Sequence, residues 1–211
     1  MTMDVREYGL PTARTVLIQP VGDHDLPGLE EEVAVIRAMT ETPFRLVAVK
    51  VDRWNHDLSP WNAPPVFGPE PFGDGAAETL ARILPLCADA GKTYFLGGYS
   101  LAGLFSLWAA CQTDVFRGVA SASGSLWFPG FAEYTAAHPI HGDAVYLSLG
   151  DREEKAKNPV MAAVGDRTRQ AHALLQERGT RCALEWNPGN HFREPELRTA
   201  KAFAWLLNHC T

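Results

Sequence analysis

No apolar run in this sequence approaches the roughly 20 residues that a bilayer-spanning helix needs, so a membrane protein is not expected. Cysteine is scarce. The four, Cys87, Cys111, Cys182 and Cys210, form no C-x-x-C pair. Reduced, mostly buried thiols are expected, rather than a disulfide framework. Basic excess is also missing: 19 Lys+Arg against 25 Asp+Glu leave a net charge of −6. That gives no drive for phosphate binding, and nucleic acid is an unsuitable partner. The opening Met1-Thr2-Met3-Asp4-Val5-Arg6-Glu7 has no basic start followed by an apolar stretch. No secretory signal is read there, and a cytoplasmic setting is expected. Repeats and low-complexity tracts are absent too. His138 and His141 form an isolated H-x-x-H with no clear third ligand in register, so no metal is expected.

What is present is an ordinary globular composition, 46% hydrophobic and 21% charged over 211 residues. That length suits one domain, residues 1–211, with a sizeable core. From residue 15 on, strand-like and helix-like segments alternate. Branched apolar runs at residues 15–19, 44–51, 93–96, 118–122, 144–149 and 181–186 read as strands buried on both faces. Helical spacing links Leu29, Val33, Ile36 and Met39, and also Ala77, Leu80, Leu84 and Cys87. It returns from Val160 to Leu175 and from Leu197 to Leu207. Residues 101–110 are apolar nearly all round, as in a buried helix. The pattern predicts an α/β fold: a doubly wound, mainly parallel sheet of about six strands. Sites in such sheets lie beyond the carboxyl ends of the strands.

The third predicted strand runs into Gly97-Gly98-Tyr99-Ser100-Leu101-Ala102-Gly103. This matches G-x-S-x-G with Ala102 at the last position, the turn that presents a nucleophilic serine. By chance the bare pattern, with alanine allowed, arises in roughly one chain in six of this length. The strand before it and the apolar helix after it make it far more specific. The plain alternative is a serine capping a helix at an ordinary turn. A serine needs a base, and the base needs an orienting acid, here in the chain order Ser, acid, His. His191 follows the last predicted strand in Pro188-Gly189-Asn190-His191-Phe192, where the base belongs. After the fifth strand Asp151, Glu153 and Glu154 compete as the acid. The G-x-x-D spacing favours Glu153, then Asp151. The Leu101 N–H is one expected oxyanion donor. Gly22 or a neighbouring amide, after the first strand, is the other. Trp54 and Trp61, in the long irregular stretch 52–74, and Trp127 are candidates to wall a substrate pocket. Pinning loops to the core is an equal use for tryptophan.

These segments resemble the esterase family related to enterochelin esterases and esterase D, in the α/β-hydrolase superfamily. The carrying residues are Gly97–Phe105, Ser123-Gly124-Ser125-Leu126-Trp127, Gly150-Asp151-Arg152-Glu153 and Gly189-Asn190-His191-Phe192. Trp54-Asn55-x-Asp57-Leu58-x-Pro60-Trp61 joins them. The resemblance implies a compact α/β-hydrolase fold without a cap domain. It implies a serine esterase with Ser100 as nucleophile, His191 as base and Glu153 as acid. Asn55 joins the substrate-binding candidates through the family's loop. No cofactor is implied, and the partner is a small-molecule ester. Little room remains before residue 15 for the superfamily's extra strands. Competing readings are thioester or amide hydrolysis or acyl transfer on the same residues, and a catalytically silent binding protein of the same fold. Sheet edges would suit a homodimer.

Overall fold

The structure, a computed structural model, describes residues 4–210. Seven strands form one sheet in the order β1-β3-β2-β4-β5-β6-β7. They are β1 (Val5–Gly9), β2 (Thr15–Val21), β3 (Phe44–Lys50), β4 (Thr93–Tyr99), β5 (Phe116–Ala122), β6 (Ala144–Gly150) and β7 (Arg181–Asn187). All pairings are parallel except that of β1 with β3. β1 adds a seventh strand to the six that the sequence marks. Its sequence Val-Arg-Glu-Tyr-Gly is too polar to read as a buried run, because it lies at the sheet edge and is only half-covered.

Alternation along the strands sorts side chains onto two cores. One core takes Val16, Ile18, Val47, Val49, Leu96, Val119, Val145 and Leu147 from the sheet. Packed on it are α3 (Ala76–Ile83), α4 (Leu101–Ala110), α5 (Phe131–Ala137) and α7 (Val164–Glu177). The other core takes Leu17, Leu46, Phe95, Ala120 and Tyr146, covered by α1 (Leu29–Met39) and α8 (Pro195–Cys210). α8 begins at Pro195, whose missing N–H costs a first turn nothing. Two short helices complete the set, α2 (Trp54–Asp57) and α6 (Pro159–Ala162). The periodicity from residue 160 to 175 therefore covers a break between α6 and α7.

β2 connects outward to β3, and the chain then crosses back to β4 on the other side of β2. The strand order reverses there. The crevice beyond the carboxyl ends of β2 and β4 is thus the topological switch point where such sheets bind ligands. Among the described residues no helix is long and apolar enough to cross a membrane.

Candidate active site

β4 ends at Tyr99 and α4 starts at Leu101, so Ser100 carries the whole reversal. Its backbone sits at φ 55°, ψ −119°, a conformation L residues seldom adopt. Small neighbours make this feasible. A Cβ on Gly98 would lie 2.6 Å from the Ala102 Cβ, and one on Gly103 would lie 3.0 Å from the Gly98 carbonyl oxygen. The turn leaves Ser100 beyond the sheet, at the start of a helix buried along its whole length. Leu101 N–H, in that helix's first turn, has no intrahelical acceptor.

His191, in the loop between β7 and α8, reaches Ser100. Its Nε2 lies 3.0 Å from Ser100 Oγ. Its Nδ1 lies 2.7 Å from Glu153 Oε2. Glu153 follows β6 and is buried, at 7% exposure. Its second oxygen, Oε1, accepts from Gly150 N–H at 2.7 Å, Ser123 Oγ at 2.8 Å and Arg198 Nη1 at 2.9 Å. Burial pushes the Glu153 carboxyl up, but the hydrogen bond and charge of His191, then Gly150 N–H and Ser123, outweigh it and hold the group below its ordinary value. The carboxylate stays ionised and acts as an acceptor on both oxygens.

The competing carboxylates have other work. Asp151 is exposed, and its Oδ1 accepts from Gly189 N–H at 2.8 Å. That bond ties the loops after β6 and β7 together. Glu154 pairs with Arg169 at 2.7 Å. The spacing from Gly150 therefore selects the carboxylate that meets His191.

Several other expectations need correction. Gly22 N–H donates to Asp25 Oδ2 at 2.8 Å, so the loop after β2 uses that amide internally. Trp61 donates its Nε1–H to the Pro129 carbonyl at 2.9 Å and packs on Phe128 and Tyr134. Trp127, 9% exposed, packs among Phe67, Phe72 and Phe128. Asn55 is buried; its side-chain Nδ2 donates to the Glu70 carbonyl at 3.4 Å, and its backbone carbonyl accepts from Ser59 Oγ at 2.6 Å and from Gly73 N–H at 3.2 Å. These three residues fold the long 52–74 stretch onto the body; an indole or amide so engaged is a poor substrate contact. Trp54 differs. It is partly exposed, stacks edge-on with His24 at 4.9 Å and lies against Gly22. That places it on the rim of the switch-point crevice.

Further side chains gather around Ser100, His191 and Glu153. Ser125 Oγ lies 3.3 Å from Ser100 Oγ. Ser123, after β5, is a second serine in the left-handed region, at φ 45°. Tyr99 donates its hydroxyl to the His191 carbonyl at 2.6 Å. Burial pushes that phenol up to about 12, so it stays a neutral donor. Phe192, beside His191, is 85% exposed. Arg198, from α8, is 1% exposed. Ser123 and Ser125 carried a signal, since both lie in the short polar run after a strand. Arg198 carried none: it sits inside an amphipathic helix, and only the fold brings it to Glu153.

No protein-family model matches the chain. An 85-residue stretch is 33% identical to the uncharacterized protein YbbA of Bacillus subtilis (strain 168), covering 39% of this chain and 34% of that protein. Solved structures match over nearly the whole length. An IroE-like serine hydrolase from Shewanella oneidensis superposes with a TM-score of 0.77, at 12% identity, over 98% of this chain and 76% of that one. The siderophore hydrolase EstA of Aspergillus nidulans gives 0.70 at 17% identity, over 100% and 95%. An enterochelin esterase from Shigella flexneri gives 0.65 at 20% identity, over 95% and 53%. The chain therefore shares the compact, mainly parallel α/β fold of these hydrolases.

Proposed function

We propose that this chain is a serine esterase that cleaves a small-molecule carboxylic ester through an acyl-enzyme. The observation that carries the reading is the unbroken relay Ser100 Oγ–His191 Nε2 at 3.0 Å and His191 Nδ1–Glu153 Oε2 at 2.7 Å, mounted on a strained elbow. Ser100 attacks the ester carbonyl, and its proton passes to His191 Nε2. Glu153 accepts from Nδ1–H, fixes the ring and stabilises the imidazolium. The Leu101 N–H, with the N-terminal end of α4 behind it, faces the charge that grows on the carbonyl oxygen. A neighbouring amide of the loop after β2 takes the place of Gly22 as second donor. His191 then returns its proton to the departing alcohol, and water repeats the sequence on the acyl-enzyme.

Trp54 and the exposed Phe192 offer aromatic faces at the mouth. Two of the matched proteins are described as a siderophore hydrolase and an enterochelin esterase. An ester with an aromatic acyl group is thus the first substrate class to screen. The experiment is a panel of aryl and alkyl esters, thioesters and amides, with Ser100→Ala as control. Turnover of esters, lost in Ser100→Ala, is expected. Preference for thioesters or amides would move the activity to another acyl class. No turnover of any acyl donor would favour a binding protein.

A further inference from the structure

Arg198 lies on α8, outside every motif that marks the site, yet its guanidinium is 1% exposed and touches four strand-end segments. Nη1 donates to Glu153 Oε1 at 2.9 Å, to Ser123 Oγ at 2.9 Å and to Tyr99 Oη at 3.2 Å. Nη2 donates to the carbonyls of Pro188 at 3.1 Å and Asn190 at 3.0 Å. Those two carbonyls flank the turn that delivers His191, and Tyr99 holds the His191 carbonyl itself. One planar fork thus spans the acid and the base loop. A Cβ on Gly150 would sit 2.9 Å from Arg198 Nη1 and 2.4 Å from the Gly189 carbonyl, so the glycine there keeps this approach open.

We propose that Arg198 is a positioning residue of the esterase site, which fixes the His191 loop against Glu153 and balances the Glu153 charge. The inference rests on the serine-hydrolase reading above. Without Arg198, Glu153 Oε1 would keep Gly150 N–H and Ser123 Oγ but lose the positive charge beside it, which favours a proton on the His191–Glu153 pair. Arg198 supplies a permanent positive charge on the oxygen opposite His191, and like charge opposes a further proton on the pair. The other charged groups are turned elsewhere. Asp151 is bound to Gly189 N–H, Arg193 is paired with Glu194, Glu196 faces Gly28, and Lys201 is paired with Glu185. Glu32, from α1, bonds Gln19.

The test is the rate of fluorophosphonate labelling of Ser100 from pH 5 to 9, in wild type, Arg198→Lys, Arg198→Met and Arg198→Gln, with circular dichroism confirming the fold. Arg198→Met is expected to label roughly tenfold slower or worse at pH 6, with its acid limb raised by about one pH unit. The gap should shrink as pH rises. Arg198→Lys should return the limb toward wild type, since the charge is restored, while the rate stays lower because one ammonium cannot reach all five acceptors. Should Arg198→Met fail to fold, Arg198→Gln keeps donors without charge, and its limb must still rise. Equal slowing at every pH, with the limb unmoved in folded neutral variants, would overturn the inference and leave the esterase reading standing. An unlabelled wild type would overturn both.

Discussion

At the scale of single residues, the proposed chemistry depends on Glu153 being ionised while buried. Burial raises its pKa, and His191, Gly150 N–H and Ser123 lower it further than burial raises it. A carboxyl depressed in the fold contributes stability that is present above its unfolded value, near 4.5, and is lost as pH falls through the folded value. Glu153→Gln keeps the shape and removes the charge. It is expected to lower kcat by about 10²–10⁴-fold with little change in KM, read by steady-state kinetics. Its thermal-stability deficit should narrow as pH falls below about 4.5, because wild type loses the same charge there. A deficit independent of pH would show that the Glu153 charge does not stabilise the fold. Glu153 was legible from its distance to Gly150, and His191 from its place after the last strand. Chain order and strand ends are one-dimensional facts. Arg198, Ser123 and Tyr99 were not legible in this role, because their meeting depends on how α8 crosses the sheet.

At the scale of elements, the elbow between β4 and α4 is limited by volume. Gly98→Ala would bring two methyl groups to 2.6 Å, which must force the turn apart. We expect a loss of roughly 1–3 kcal/mol in unfolding free energy and a matching fall in activity. Adding Ala102→Gly should recover part of both, as measured by denaturant unfolding and ester turnover of the double variant. No recovery would place the conflict in the backbone instead. α1 makes a different demand. Glu32 is buried in its first turn, where Gln19 Nε2 donates to it at 3.2 Å. Among the described residues Glu32 Oε1 and Gln19 Oε1 have no partner. Burial raises the Glu32 pKa from 4.5 to about 8, against the hydrogen bond from Gln19. The fold therefore keeps a proton that the unfolded chain gives up, and stability falls as pH rises from about 4.5 to 8. Glu32→Gln is expected to gain on wild type across that window, by a few kcal/mol at pH 8.5 on the order of 1.4 kcal/mol per pKa unit. Thermal unfolding at pH 5 and 8.5 checks this; an equal difference at both would contradict it. Periodicity located most elements, yet β1 escaped it through its charged, half-covered face, and α5 through its short, mixed sequence.

At the scale of the whole molecule, two cores on opposite faces of one sheet separate stability from chemistry. Ser100, Glu153 and His191 come from three connections, all beyond the carboxyl ends of strands, and the rigid sheet sets their spacing. Leu206 lies in the core under α8, fully buried and away from the relay. Leu206→Ala is expected to cost about 2–5 kcal/mol of stability. Below its new melting point kcat/KM should stay within about twofold of wild type, since folded molecules keep the same strand ends. A large fall in kcat/KM at full foldedness would mean that the α8 core sets site geometry directly. The general architecture was legible because parallel strands buried on both faces read as uninterrupted apolar runs. The way the 52–74 stretch folds onto the body was not, since Trp61, Asn55 and Trp127 carry the same side chains whether they line a pocket or pin a loop.

The proposed chemistry turns on an activated serine at Ser100. The most direct measurement is covalent labelling by a fluorophosphonate at neutral pH, read by intact mass and peptide mapping. Cysteines offer little competition, since burial pushes the Cys87 thiol up to about 12 and Cys111 to about 11, and also raises Cys182 and Cys210. One adduct on Ser100 is expected, absent in Ser100→Ala and slowed at least 100-fold in His191→Ala, as loss of the general base requires. No adduct on a folded wild type, or labelling that ignores His191, would contradict it.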